Sequence, residues 1–234
     1  MSKQILLLSV AFLTFLPLAG ETVKAVLFPF REAEISSRVD STLQNCKFRI
    51  GEKFKAGDVL IELDSTPFSL QVQRNTVHLQ FTGSAYQDKK ELKRNNLTSD
   101  FELQKAEFEY KTAQTALKEA ELRLSYCRIS APFPGKIVEV LKQEHEIVKA
   151  GEPLLKIIDD SFLFAVVNFP LKKVKPTGAV LKLKLENDTI VNGKIYEISP
   201  QVNHRTGTLR LRILIDNAAG TLRAGMTGEV INAE

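Results

Sequence analysis

The sequence has 234 residues, of which 44% are hydrophobic and 26% are charged. This balance is typical of a packed globular protein and excludes a disordered chain. The formal net charge of +4 is small, and basic and acidic residues are mixed along the chain, so we expect no nucleic-acid partner.

The first twenty residues have the composition of an export signal. Lys3 precedes an apolar run from Ile5 to Leu18, and the small residues Ala19 and Gly20 follow it. The run is short for a transmembrane helix, which needs about 20 apolar residues. We therefore predict a signal peptide over residues 1–20, with an uncleaved membrane anchor as the alternative.

Two stretches of the chain, 35–63 and 129–157, carry the same pattern of residues. Each contains Lys-Ala-Gly, and Lys55 matches Lys149 at an offset of 149 − 55 = 94. Short apolar–polar alternations predict paired strands, and Gly57 and Gly151 mark turns that need a positive φ. Because one copy has too few strands to bury its own face, we expect the two copies to form one small β-sandwich.

A helical pattern separates the two copies. Steps of three and four residues predict a heptad seam made of Leu103, Ala106, Tyr110, Ala113, Leu117, Ala120 and Leu124. A partner helix is predicted from Thr66 to about Asn95, with a facing stripe of Leu70, Val77, Phe81, Ser84 and Leu92. Asn95-Asn96 predicts the turn, and Thr98 or Ser99 the N-cap of the second helix. The two arms form an antiparallel hairpin, or alternatively a helical pair folded flat on the sandwich.

Strand-like segments return after Asp160, separated by Pro, Gly and Asn-rich turns, and predict a small closed β-barrel. The fold class is therefore mainly β with a helical hairpin. The predicted domains are a first half with the N-terminal strand, the hairpin, a second half and the barrel, over residues 21–65, 66–125, 126–160 and 161–234.

No catalytic, cofactor or metal site is predicted. The three histidines fall in separate segments without a second ligand nearby, so we interpret them as surface residues: His78, His145 and His204. Two acidic pairs, Asp159-Asp160 and Glu144/Glu146, are interpreted as solvated acids at turns and strand ends. Two alternatives stay open for Cys46 and Cys127, which could form one disulfide or remain as small buried thiols.

Two longer motifs carry a resemblance to a known family. "YCRISAPFPGKI" contains Ala131, Pro132 and Gly135, and "VNHRTGTLRLRILIDNAAGTLRAGM" contains Thr206, Leu222, Arg223, Gly225 and Met226. With the hairpin between two halves of a lipoyl-like barrel-sandwich hybrid, the chain resembles the periplasmic adaptor subunits, or membrane fusion proteins, of the HlyD family. Ala224 stands where the second motif usually has Pro. The resemblance implies structural roles for Gly57, Gly135, Gly151, Thr206, Gly225 and Met226.

The resemblance implies a non-enzymatic adaptor without cofactors, assembled as a ring of six. Such a protein lies in the periplasm of a Gram-negative-type envelope, associated with the inner membrane, and bridges an inner-membrane transporter to an outer-membrane channel of the TolC type. The barrel motif favours an RND-type transporter. An adaptor of an ATP-driven exporter and a free-standing periplasmic scaffold are the alternatives.

Docking of the channel is expected at the hairpin tip, through Leu92, Arg94, Asn95, Asn96, Leu97 and Ser99. Relatives with RND-type partners carry an Arg where this chain has Asp88, and Lys89 or Lys90 could substitute by position. The alternative is that Leu92 only packs in the seam and Ser99 only caps a helix.

The lipoyl-like fold also occurs in enzymes that carry lipoate or biotin on a lysine. That lysine would stand at Ser65, and a hydroxyl cannot accept such a group in its place. We therefore exclude a cofactor carrier.

Overall fold

A computed structural model describes residues 23–231, so the predicted signal peptide lies outside the described residues. These residues form two α-helices and twelve β-strands: β1 Val23–Ser36, β2 Ser41–Cys46, β3 Lys53–Phe54, β4 Val59–Leu63, α1 Thr66–Arg94, α2 Asp100–Ser125, β5 Arg128–Ser130, β6 Gly135–Val140, β7 Ile147–Val148, β8 Pro153–Pro170, β9 Val180–Leu185, β10 Ile190–Asn203, β11 Thr208–Asp216 and β12 Thr227–Val230. No helix in this part of the chain is long and apolar enough to span a membrane.

The chain divides into two compact units. The first, here called the hairpin unit, comprises residues 28–163 and 216–224. The second, the barrel unit, comprises the described residues among 1–27, 164–215 and 225–234. This division differs from the sequence-based boundaries, because the first residues of β1 pair with β12, for example Val23 with Val230.

The repeat in the sequence is a repeat in the structure. Strands β2, β3 and β4 of the first copy correspond to β6, β7 and the start of β8, and the first residues of β2 and β6 differ by 135 − 41 = 94. Strand β2 pairs with β7 of the other copy, and β3 pairs with β6. The copies exchange strands, so neither half is complete alone.

Matching backbone hydrogen bonds join the two copies. Gly57 N–H donates to the Ala131 carbonyl at 2.9 Å, and Gly151 N–H donates to the Ser37 carbonyl at 2.8 Å. These glycines have φ values of +86° and +85°, as the sequence predicted. Each turn is therefore hydrogen-bonded to the other copy, and its glycine has a positive φ that other residues rarely adopt.

The core of the sandwich is apolar and draws on both copies. The strand residues that are fully or almost fully buried are Leu43, Leu60, Ile61, Ile137, Val148, Leu154, Leu155 and Ile157. Each buried aliphatic side chain of this size contributes about 1.5–3 kcal/mol relative to exposure. This core also takes in Phe133 and Cys127, and both Cys127 and Cys46 are free thiols.

Helices α1 and α2 pack on each other. Phe81 and Phe108 on their outer sides are 72% and 71% exposed, so the hairpin does not lie flat on the sandwich. The predicted α2 seam is confirmed, because its residues are the least exposed on that helix. Ala106, Ala113 and Ala120 are buried, and the four larger seam residues are half-buried.

The predicted facing stripe on α1 is wrong. Leu70, Val77 and Phe81 are among the exposed apolar residues of the chain, and Leu92 is also exposed. The observed seam runs through Phe68, Val72, Asn75, Leu79, Thr82, Tyr86, Lys89 and Lys93, which are buried or half-buried. Half of the residues in this seam are polar. A prediction based on apolar residues therefore selected the opposite side of α1.

Polar and aromatic contacts set the register of the seam. Asn75 Nδ2 donates to the Ala116 carbonyl at 2.9 Å, and the rings of Tyr86 and Tyr110 stack with centroids 5.7 Å apart. Gly83 leaves space beside Tyr110, since a Cβ there would lie 3.2 Å from that ring. A buried Asn in a helical seam favours one register over others.

The barrel unit has the predicted strands. They follow the order β1-β12-β9-β10-β11-β8, and β1 also pairs with β8, which closes the ring. Alternate residues of β9 and β11 point inward and are buried, among them Leu181, Leu183, Leu211 and Ile213.

Candidate docking site at the hairpin tip

The turn between the helices is built by a specific helix ending. Leu97 N–H donates to the Leu92 carbonyl at 2.8 Å, and Asn96 N–H donates to the Lys93 carbonyl at 3.0 Å. Asn96 has a φ of +56°, which asparagine tolerates better than most residues. These two bonds form a Schellman motif, so α1 ends at a defined residue and the turn has one conformation.

The second helix begins at the predicted cap. Ser99 is extended, with φ −81° and ψ 160°, and its hydroxyl accepts a hydrogen bond from Glu102 N–H at 3.2 Å. Asp100 and Glu102 lie in the first turn, where acidic residues stabilise the positive end of the helix dipole. Ser99 therefore has a structural role in addition to any role in docking.

Apolar side chains are exposed at this tip. Leu97 is 69% exposed and Phe101 is 72% exposed, while Leu92 is 38% exposed and lies outside the seam. The position of Leu92 overturns the interpretation of this residue as seam packing. Sequence reasoning missed Phe101, although an apolar residue in the first turn of α2 and outside its heptad seam was a usable signal.

The charges at the tip are mostly paired within the hairpin. Lys89 Nζ lies 3.5 Å from Glu102 Oε2, and Lys93 Nζ lies 2.8 Å from Asp100 Oδ1. The Lys90 ammonium lies 5.9 Å from the centre of the Tyr86 ring. Lys89 and Lys90 therefore each have a contact within the hairpin.

Arg94 differs from these lysines. It is exposed, and no carboxylate of residues 23–231 lies within ion-pair distance of it. With Asn95, Asn96 and Leu97 it forms a continuous exposed segment, so the structure brings six predicted tip residues together: Leu92, Arg94, Asn95, Asn96, Leu97 and Ser99.

The other predicted motif residues lie away from this tip and serve the fold. Gly135 begins β6, where a Cβ would clash with the Ile158 carbonyl. Gly225 has a φ of +91° and its N–H donates to the Leu27 carbonyl, while Met226 accepts from Leu27 N–H at 2.8 Å. Thr206 lies in the turn between β10 and β11, with its hydroxyl 2.8 Å from that of Thr208.

One acidic pair is not solvated as expected. Asp159 and Asp160 lie within β8, and Asp159 is buried with its Oδ2 atom 3.2 Å from Arg31 Nε. The Asp160 carboxylate accepts from Lys136 Nζ at 2.6 Å. The interpretation as solvated acids at strand ends is therefore wrong for this pair, because basic residues distant in sequence are their partners.

The described residues contain no group of three or more His, Cys, Asp or Glu side chains that could hold a metal ion. His78 lies on α1, while His145 and His204 lie in separate turns. Burial raises the pKa of both the Cys46 and the Cys127 thiols, which favours their protonated form.

Comparisons with known proteins support the same architecture. Relatives include a protein named multidrug resistance protein MdtA from Photorhabdus laumondii, 26% identical over 81% of this chain. The chain spans only about half of that relative, 54% of its length.

Solved structures agree in fold. A MacA–MexA chimera that contains the Pseudomonas aeruginosa MexA α-hairpin covers 89% of this chain and 76% of its own, with 21% identity and a TM-score of 0.79. A protein from Bacteroides eggerthii described as an efflux transporter covers 90% of this chain and 67% of its own, with 18% identity and a TM-score of 0.75.

Two family models match the chain in the expected order. The CusB-like β-barrel domain matches residues 173–234. The barrel-sandwich hybrid domain of the RND membrane fusion proteins matches residues 31–160. Since the match to the barrel-sandwich hybrid domain covers more than half of the chain, the protein belongs to the RND membrane fusion protein family.

Proposed function

We propose that this protein is a periplasmic adaptor of a tripartite efflux system, which joins an inner-membrane transporter of the RND type to an outer-membrane channel of the TolC type. The observation that carries the proposal is the helical hairpin, whose tip exposes Leu97 and Phe101 without a partner among the described residues. The adaptor itself catalyses no reaction. Family membership and the names of its relatives support this role.

The dimensions of the hairpin suit a bridging role. Helix α1 has 29 residues and α2 has 26. At 1.5 Å per residue each arm is about 40 Å long. A rigid arm of this length carries the tip away from the sandwich and can present it to a second protein.

The tip is proposed to dock the channel through helix-to-helix contact. Exposed Leu97 and Leu92 supply apolar contacts, and Arg94, Asn95 and Asn96 supply hydrogen-bond donors that the hairpin does not use. Ser99 keeps its cap and can accept a further hydrogen bond from a partner, since a hydroxyl oxygen has two lone pairs.

Two apolar stripes on the outer sides of the hairpin support self-association, which we propose produces a ring of six. Each stripe lies opposite the seam of its own helix. The α1 stripe consists of Leu70, Val77 and Phe81, and the α2 stripe consists of Phe101, Phe108 and Leu122; all six side chains are more than half exposed. Stripes on opposite sides fit a contact in which α1 of one copy meets α2 of the next, and such heterologous contacts close into rings.

The test is efflux-dependent tolerance in a Gram-negative strain that lacks its own adaptors. The chain is expressed with the transporter encoded beside it and with a TolC-type channel, and tolerance to a panel of antibiotics is measured. We expect Leu97→Asp to abolish tolerance without lowering the melting temperature, because the side chain is 69% exposed. Gln114→Asp is the matched control, since it adds the same charge at an exposed position in the middle of α2.

Unchanged tolerance in Leu97→Asp would contradict docking through the tip. Ser99 needs a separate pair of variants because it caps α2. Ser99→Asp keeps an acceptor at the cap, whereas Ser99→Ala costs about 1 kcal/mol of stability. Loss of tolerance in Ser99→Asp with an unchanged melting temperature would support direct contact by the serine.

Location and partners need their own measurement. We expect the chain in the periplasmic fraction with part of it on inner membranes, and affinity capture from detergent extracts should recover a transporter and a channel. Recovery of neither would favour a free-standing scaffold. Recovery of a nucleotide-binding transporter would favour an ATP-driven exporter.

A further inference from the structure

The positive charge of the chain is concentrated in the barrel unit. Its described residues include ten Lys and Arg against four Asp and Glu, a net charge of +6. The hairpin unit has 21 Lys and Arg against 22 Asp and Glu, a net charge of −1. The modest +4 of the whole sequence therefore conceals a strongly basic barrel, and such an asymmetry is typical of proteins that bind an anionic surface.

Most of the basic side chains of the barrel are unpaired. Among the basic residues that the structure describes in the barrel unit, only Lys184 and Arg212 form ion pairs, with Asp188 and Glu197. The sequence explains this, because no acidic residue occurs between Asp160 and Glu186. We call the following unpaired residues the basic face: Lys172, Lys173, Lys175, Lys182, Lys194 and Arg205.

Two backbone hydrogen bonds hold the segment that carries Lys172, Lys173 and Lys175 near strand β10. Leu171 N–H donates to the Gly207 carbonyl at 3.1 Å, and Gly178 N–H donates to the Ile195 carbonyl at 2.8 Å. The segment 171–178 is thus fixed at both ends and runs beside β10 and its turn. Lys172 and Lys173 are exposed in this segment, and Arg205 is exposed in the turn that the Leu171 hydrogen bond reaches.

Cross-strand register places two more lysines on the outer face of strands β9 and β10. Val180 lies opposite Lys194, and Lys182 lies opposite Asn192, with all four side chains exposed on the outer face of β9 and β10. A hollow of about 410 Å³ opens near the β10–β11 turn, and its lining, which includes Arg210, contains no acidic residue.

Exposed aliphatic residues are mixed with these charges. Leu171, Val180 and Ile190 are each half or more exposed on this part of the barrel. Lysines interleaved with aliphatic side chains suit the boundary of a lipid bilayer, where the apolar groups enter the headgroup region and the ammonium groups meet phosphates. Protein interfaces instead favour Arg and aromatic residues and are depleted in Lys.

We infer that the basic face of the barrel binds the surface of a membrane that contains anionic phospholipids. The apolar run Ile5–Leu18 is consistent with this, because only four residues separate it from Val23, the first residue of strand β1. An uncleaved membrane anchor, the alternative to a signal peptide over these residues, would hold this end of the chain at a bilayer. The inference does not depend on the adaptor role proposed above.

The test is co-sedimentation of the purified full chain with large unilamellar vesicles, keeping the same N-terminus in every variant. Vesicles of phosphatidylcholine mixed with phosphatidylglycerol are compared with phosphatidylcholine alone, at low and high salt. We expect binding to the anionic vesicles that weakens as salt rises. The triple variant Lys172→Gln/Lys173→Gln/Lys175→Gln should bind on the order of 100-fold more weakly, since each basic residue near such a surface contributes about 1 kcal/mol.

The matched control removes three exposed lysines from the hairpin unit, as Lys55→Gln/Lys105→Gln/Lys118→Gln. It should bind the anionic vesicles as the parent chain does. Equal losses in both triple variants, no loss in the barrel variant, or equal binding to the two kinds of vesicle would overturn the inference. Binding to polyglutamate or duplex DNA but not to anionic vesicles would also overturn it, in favour of an acidic protein or a nucleic acid.

Discussion

At position 145 a histidine occupies a backbone conformation that the other repeat assigns to glycine. His145 has a φ of +71°, and its counterpart 145 − 94 = 51 is Gly51, with a φ of +84°. Both N–H groups make the same bond to the other copy, to Leu43 and Ile137. Both copies of the repeat therefore need a positive φ at this position. Gly51 adopts it without strain, whereas His145 does not.

We expect His145→Gly to raise the free energy of unfolding by about 0.5–1 kcal/mol, since the relief of left-handed strain exceeds the added entropy of the unfolded chain. Gln143→Gly in the same turn is the control and should lower stability, because residue 143 has no positive φ. Chemical denaturation of both variants measures the difference. A destabilised His145→Gly would mean that the imidazole makes a contact stronger than the strain.

Ion pairs at single residues predict how stability depends on pH. Lys142 Nζ lies 2.7 Å from Glu152 Oε1, and this hydrogen bond lowers the pKa of Glu152 below its ordinary value of 4.5. As the pH falls, Glu152 therefore takes up a proton at a higher pH in the unfolded chain than in the folded protein. The stabilisation is therefore present above about pH 4.5 and is lost as the pH falls through the folded-state pKa.

Melting temperatures measured from pH 7 down to pH 3 should thus fall less steeply in Glu152→Gln than in the parent chain. Glu109→Gln is the control, because Glu109 is exposed on α2 and has no ion pair within residues 23–231. Parallel curves for the parent chain and Glu152→Gln would show that the pair does not contribute to acid sensitivity.

At the scale of elements, the two helices differ in how well sequence predicted them. The α2 seam was found because small and large apolar residues alternate there at heptad spacing. The α1 seam was missed because contacts to α2 satisfy polar residues such as Asn75 and Lys89, which a pattern search treats as exposed. Helix bounds were predicted well, since the signals at Asn95-Asn96 and Ser99 act locally.

The observed seam of α1 predicts which of two nearby apolar residues stabilises the hairpin. Leu79 is half-buried in the seam and Phe81 is 72% exposed, two residues away on the same helix. We expect Leu79→Ala to lower the free energy of unfolding by about 1–2 kcal/mol and Phe81→Ala by less than about 0.5 kcal/mol, although Phe81 loses the larger side chain. Denaturant titration monitored by helical circular dichroism measures both. The reverse order would restore the apolar stripe as the seam.

At the scale of the whole molecule, sequence predicted what repeats and missed what is joined over long distances. The offset of 94 residues was sufficient to predict a shared sandwich, because both copies carry the same local pattern. Nothing local marks the pairing of Arg31 with Asp159, or the hydrogen bond that the buried Asn217 amide donates to the Asp160 carbonyl. Such contacts depend on which strands become neighbours.

Assembly is the property of the whole molecule that the exposed stripes predict. Phe108 is 71% exposed at the middle of the α2 stripe, and burying such a ring against another copy contributes about 1.5–3 kcal/mol. We expect Phe108→Glu to weaken self-association by at least about 10-fold per interface while the melting temperature of the monomer stays unchanged, because the side chain leaves no cavity in the hairpin.

Sedimentation velocity over a range of concentrations measures the association. Gln114→Glu adds the same charge at an exposed position of α2 that lies about 120° around the helix from Phe108, and it should leave association unchanged. If Phe108→Glu associates as the parent chain does, the α2 stripe does not form the contact between copies, and an assembled ring would have to be held by other surfaces.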